Sequence, residues 1–105
     1  MKRTTHFVRA LALSELPPGK LVSVELEGKR VLLSNLEGTV YAVSAICTHE
    51  EFDLAQGFIM ENAVVCPLHL SQFDLRTGEV YNPPATEPLK VFNVKIEENA
   101  VFVEV

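Results

Sequence analysis

The chain has 105 residues, enough for one modest hydrophobic core and therefore one domain spanning 1–105. Its 48% apolar and 22% charged residues are an ordinary globular balance. The formal net charge of −5 argues against nucleic acid and anionic lipid as partners, and no apolar run approaches the ~20 residues of a spanning helix. Arg9 interrupts the short apolar stretch near the N-terminus, so no signal peptide is read and a cytoplasmic location is expected.

In chain order the pattern is β nearly throughout. Residues 5–13 and 21–27 are rich in β-formers, and Leu16-Pro17-Pro18-Gly19 between them can continue neither strand nor helix. In 21–27, Val22, Val24 and Leu26 alternate with Leu21, Ser23, Glu25 and Glu27, the mark of a half-buried strand. Gly28-Lys29 reads as a type II′ turn into 30–36, and Glu37-Gly38 as a turn into 39–45, giving a three-stranded meander. Residues 47–57 break the pattern and read as a loop. Residues 58–66 return as a hairpin turning near Glu61-Asn62, and 66–71 form a second loop. Residues 72–81 form a hairpin turning at Arg76-Thr77-Gly78. Three prolines make 82–88 irregular, and 89–97 with 100–105 close the chain as a hairpin turning at Glu98-Asn99. Tyr41 and Phe58 read as core aromatics. Many short strands with regular turn signals predict an all-β sandwich or small barrel.

Both cysteines and two of the three histidines fall on the two interrupting loops. The first reads Cys47-Thr48-His49 and the second Cys66-Pro67-Leu68-His69, with sixteen residues between His49 and Cys66. Each loop thus offers one thiolate and one imidazole at close spacing, which lets them converge at little entropic cost. A disulfide between two cysteines is not expected in a cytoplasmic chain. Two Cys and two His suit either a tetrahedral Zn²⁺ or a [2Fe–2S] cluster with Cys₂ on one iron and His₂ on the other. The spacing separates them: Cys-x-His is tighter than the usual zinc-finger cysteine pair, and no recognition helix follows His69.

With CTH, the sixteen-residue gap, CPLH and the following FDLRTGEVYNPPAT segment, the chain resembles the Rieske [2Fe–2S] family over most of its length. The resemblance implies a Rieske-type antiparallel β-sandwich or barrel. Its small cluster-binding subdomain would consist of two loops, at about 46–57 and 66–74. It implies one [2Fe–2S] cluster per chain, held by Cys47 and Cys66 on one iron and His49 and His69 on the other. Thiolates and sulfides balance two ferric irons, so the oxidised site is neutral and easier to reduce than an all-cysteine one. The resemblance further implies a stand-alone ferredoxin, a one-electron carrier and not an enzyme. As a monomer it would pass electrons from a reductase to a terminal oxygenase of the aromatic-ring dioxygenase type. Two alternatives are a small Rieske-type subunit of an assimilatory nitrite reductase and a zinc-stabilised interaction domain.

Several flanking residues carry expectations of their own. Where many family members have Gly after the second histidine, this chain has Leu70. High-potential respiratory members read Gly-Ser-x-Tyr there, their hydroxyls donating to cluster sulfurs. Here Ser71 keeps its hydroxyl, whereas Phe73 has none, so Ser71 is expected to act on the cluster from behind its ligands. Leu68 and Leu70 flank His69 and serve either docking or shielding. Glu50, Glu51 and Asp53 read as a solvated acidic loop. His6 is expected at the surface, with no role.

Overall fold

The computed structural model describes residues 5–47, 52–67, 70–82 and 87–105. These form antiparallel sheets, as expected from the alternation. The strands are β1 (Phe7–Ala12), β2 (Leu21–Leu26), β3 (Lys29–Leu36), β4 (Thr39–Ser44), β5 (Phe58–Met60), β6 (Ala63–Val65), β7 (Gln72–Asp74), β8 (Val80–Asn82), β9 (Val91–Phe92), β10 (Val94–Glu97) and β11 (Ala100–Glu104). One sheet has the order β1-β11-β10, a second β2-β3-β4-β9 and a third β5-β6-β7-β8. The regular helical content of the described residues is two 3₁₀ turns, Leu13–Glu15 and Leu54–Gln56. No helix among them is long and apolar enough to cross a membrane.

β3 is the wall on which the molecule is built. Its residues 31–35 are all buried, although successive side chains point to opposite faces. Val31 and Leu33, with Val40 and Ala42 of β4, face a core shared with Leu11, Leu16, Phe92, Val101 and Val103. Leu32, with Val43 and Ala45, faces a second core containing Leu54, Val64, Phe73, Leu75, Leu89, Cys47 and Cys66. In the third sheet, Ile59, Val64, Phe73 and Val80 are aligned across the strands and turn toward this second core.

Three expectations are corrected. The β2–β3 turn is Glu27-Gly28, not Gly28-Lys29: Leu26 pairs with Lys29, and both turn residues have positive φ, 51° and 85°. That is a type I′ turn, whose twist matches the flanking strands. The expected strand 89–97 is broken at Asn93. Phe92 pairs with Ala42 in the second sheet, whereas Val94 pairs with Val103 in the first. Asn93 marks the corner, its carbonyl accepting the Glu104 N–H at 2.9 Å and its side-chain amide donating to Glu104 Oε1 at 2.9 Å. Passing one strand between two sheets closes the barrel there without a further loop. Third, Phe58 is no core residue. It lies on the outward face of the edge strand β5, about half exposed, because its neighbour Ile59 takes the inward position.

Candidate metal centre

The first ligand loop leaves β4 and is drawn shut at its neck. Ile46 and Asp53 form an antiparallel bridge, the Cys47 N–H donates to the Phe52 carbonyl at 3.0 Å, and the Leu54 N–H donates to the Ala45 carbonyl at 2.7 Å. Asp53 then caps the following 3₁₀ turn, its Oδ1 accepting the Ala55 N–H at 2.9 Å. Its Oδ2 accepts from Arg30 Nη2 at 2.7 Å. Burial pushes the Asp53 carboxyl up, but the hydrogen bonds from Arg30 and Ala55 outweigh it and hold the group below the usual carboxylate range. The solvated acidic loop expected from sequence is therefore wrong for Asp53, which is a fastened carboxylate. Glu50 and Glu51 lie outside the described residues.

The second loop leaves β6 and turns back on its own cysteine. The Cys66 N–H donates to the Ser71 carbonyl at 2.9 Å, and the Leu70 N–H donates to the Cys66 carbonyl at 2.8 Å. Closing so short a loop places Leu70 in the left-handed region, φ 62°. This accounts for the glycine common there in the resembled family, since a left-handed L-residue bears a steric cost that glycine avoids. Leu70 keeps the loop shape and holds its side chain 60% exposed.

Cys47 and Cys66 are 4% and 2% exposed, belong to the same apolar core and are not joined in a disulfide. Sulfur donors suit iron–sulfur or zinc chemistry, and a bound cation is what would compensate ligand thiolates in so apolar a setting. The donor set fits the expected group. The two imidazole ligands expected from sequence, His49 and His69, lie outside the described residues, as does Leu68. Ser71 is buried directly behind Cys66, and Phe73 is fully buried in the core that holds both cysteines. His6 is at the surface, paired with Glu27 at 2.8 Å.

Behind the second loop lies a knot that the sequence reading missed. Asp74 is 2% exposed. It accepts the backbone N–H groups of Arg76 (2.7 Å) and Thr77 (3.2 Å), Arg76 Nε (3.2 Å) and Nη2 (3.0 Å), and the Tyr81 hydroxyl. Burial alone would raise the Asp74 carboxyl. The Arg76 side chain, Tyr81 and the Arg76 N–H outweigh it and lower it to about 2. The hydrogen bond to Asp74 pushes the Tyr81 phenol up, against the opposing pull of Arg76. The signal was present in the sequence: an Asp three residues before Thr77-Gly78 is a turn-nucleating side chain. Gly78, at φ 80°, is packed so closely that a Cβ would meet the Leu89 carbonyl oxygen at 2.2 Å. The knot thereby docks the hairpin onto the segment returning to the barrel.

Comparison with known proteins bears on the chain as a whole. Residues 6–93 match the model of the Rieske [2Fe–2S] domain. The chain is 38% identical to the biphenyl dioxygenase ferredoxin subunit of Pseudomonas sp. (strain KKS102), over 93% of this chain and 91% of that one. It is 37% identical to the ferredoxin component of the naphthalene 1,2-dioxygenase system of Pseudomonas aeruginosa, over 96% and 97%. Among solved structures, a chain in the complex of reduced oxygenase and oxidized ferredoxin in carbazole 1,9a-dioxygenase superposes with a TM-score of 0.87. It is 30% identical, over 92% of this chain and 91% of that one.

Proposed function

The chain belongs to the Rieske [2Fe–2S] family, and from that premise we propose that it is a stand-alone ferredoxin serving a terminal oxygenase of the aromatic-ring dioxygenase type. The family's domain binds one [2Fe–2S] cluster, which supplies one-electron chemistry when bound. Cys47 and Cys66 would hold one iron, and His49 and His69 the other. The carrying observation is the pair of buried, unbridged cysteines at the necks of two closed loops in one apolar core.

This chain's residues divide the remaining work. Leu54, Val64, Phe73 and Leu75 keep water from the cysteine side. Ser71 stands behind Cys66 as a donor toward a cluster sulfur, favouring the more negative reduced state. Leu70 points its side chain outward, so it offers apolar contact to a partner instead of shielding the metal. The partners are a reductase and the oxygenase, the chain acts as a monomer in the cytoplasm, and it carries electrons without catalysing a reaction of its own.

Metal analysis of the purified chain tests this reading. The expected result is two irons and two acid-labile sulfides per chain, lost in His69→Ala. One stoichiometric zinc in a colourless protein would revive the zinc-stabilised domain. Permanent co-elution with one large enzyme would favour the nitrite-reductase subunit.

A further inference from the structure

Arg30 is the second residue of the wall strand β3, just before its buried stretch and opposite Glu25 of β2. Its carbonyl accepts the Ala45 N–H at 3.1 Å, and the Ala45 carbonyl in turn accepts the Leu54 N–H at 2.7 Å. Its side chain reaches the same place by a second route, through the 2.7 Å bond to Asp53. Glu25 Oε1 stands 4.0 Å from its other terminal nitrogen. The chain entering the first ligand loop and the chain leaving it are therefore both fastened to one residue of the barrel. In this pair the carboxylate is the sheltered partner, its side chain 16% exposed against 46% for the arginine.

We propose that Arg30 is a positioning residue for the metal centre: by gripping Asp53 it fixes the neck of the first ligand loop, and so sets the potential at which the cluster accepts its electron. The inference rests on the ligand assignment given under Proposed function. It is separable from a bare charge effect by sign. Removing the positive charge of Arg30 makes an electron harder to add, and removing the negative charge of Asp53 makes it easier. A loosened neck has the same sign for both substitutions, because either one releases the same loop. Greater solvent access then stabilises the more negative reduced state and raises the potential.

The test uses the holo-protein and its variants Arg30→Met, Asp53→Asn and the double substitution, with the midpoint potential and the EPR spectrum of the reduced form as readouts. Positioning requires an upward shift and broadened EPR lines in both single variants, with the double variant no further shifted than either. Opposite shifts that cancel in the double variant overturn the proposal. So does a lowered melting temperature with unchanged potential and spectrum, which is what a purely structural ion pair would give. Should Arg30→Met fail to fold, Arg30→Lys decides the matter. It keeps the charge but loses the planar fork, so positioning predicts an upward shift and a charge effect predicts none. A wild-type chain without any [2Fe–2S] signal would sink the functional reading itself, and this proposal with it.

Discussion

The two cores share the β3–β4 wall but are held by different means. The barrel core is aliphatic apart from Phe92, and it draws on long strands, up to eight residues in β3, paired across the whole length of the chain. On the other side of the wall, the strands of the third sheet are three residues each. Such strands bury little surface and hold little ladder, so they depend on other fastenings. Those fastenings are polar: Asp53 tied to Arg30, and Asp74 tied to Arg76 and Tyr81. Both cysteines lie on this side. The barrel is thus a scaffold of long ladders and hydrophobic burial, and the half that carries the cysteines adds side-chain ion pairs to an apolar core of its own. The lesson is one of division: a site that must hold a precise ligand geometry is not left to nonspecific burial.

Adjacent residues of β3 give the sharpest way to break that comparison. Leu32 and Leu33 are both fully buried but face opposite cores. Truncation of either to alanine should cost about 3 kcal/mol in denaturant unfolding. Only Leu32→Ala should also hasten bleaching of the visible absorbance by an iron chelator. Equal bleaching rates at matched stability would mean that the two cores are not separate in this sense.

A smaller effect probes the second knot. The folded Asp74 carboxyl titrates at about 2, below its unfolded value of about 4, so its stabilisation is complete above the unfolded value. It disappears as pH falls from about 4 to about 2. Its size is about 2 kcal/mol at neutral pH by linkage. Asp74→Asn should lower the unfolding midpoint at pH 7, with the gap to wild type closing toward pH 2. A gap independent of pH would place the stabilisation in packing instead of charge.

Smaller still is the tuning of the metal by what stands behind Cys66. Ser71→Ala should lower the midpoint potential by roughly 40 mV, the one-electron equivalent of about 1 kcal/mol. Phe73→Tyr, restoring a hydroxyl, should raise it. An unchanged potential in Ser71→Ala with an intact spectrum would reduce the serine to a turn residue.

How much of this was legible in the sequence follows from what each feature depends on. The meander of β2, β3 and β4 could be read from alternation and turn residues because both are local. That Cys47 and Cys66 come together in one core could be read because each opens a short loop that interrupts the same β framework, whereas His49 and His69 lie outside the described residues. The break at Asn93 could not, since 89–97 is uniformly strand-like and only tertiary pairing divides it between two sheets. Phe58 misled because hydrophobicity marks a side chain as able to be buried, while the facing of a three-residue edge strand is set by its partners. Arg30 and Asp53 are 23 residues apart, so nothing in either neighbourhood announces their pairing. Asp74 lay within the segment that carried the family resemblance, and its local bonds to the Arg76-Thr77 turn were legible, whereas the bond from Tyr81 depends on the pairing of the next strand.

The first and last described strands lie side by side. The His6 N–H donates to the Val105 carbonyl at 3.2 Å, and the Val105 N–H donates back to the His6 carbonyl at 3.0 Å. They do so in the sheet of β1, β11 and β10, which includes neither ligand loop. Strands paired with each other are tied down in common, because fraying at residue 6 breaks the same ladder that holds residue 105. Local opening of this pair therefore breaks hydrogen bonds of a sheet remote in connectivity from the strands that bear Cys66 and follow it, so the two ends can loosen without unlacing the third sheet.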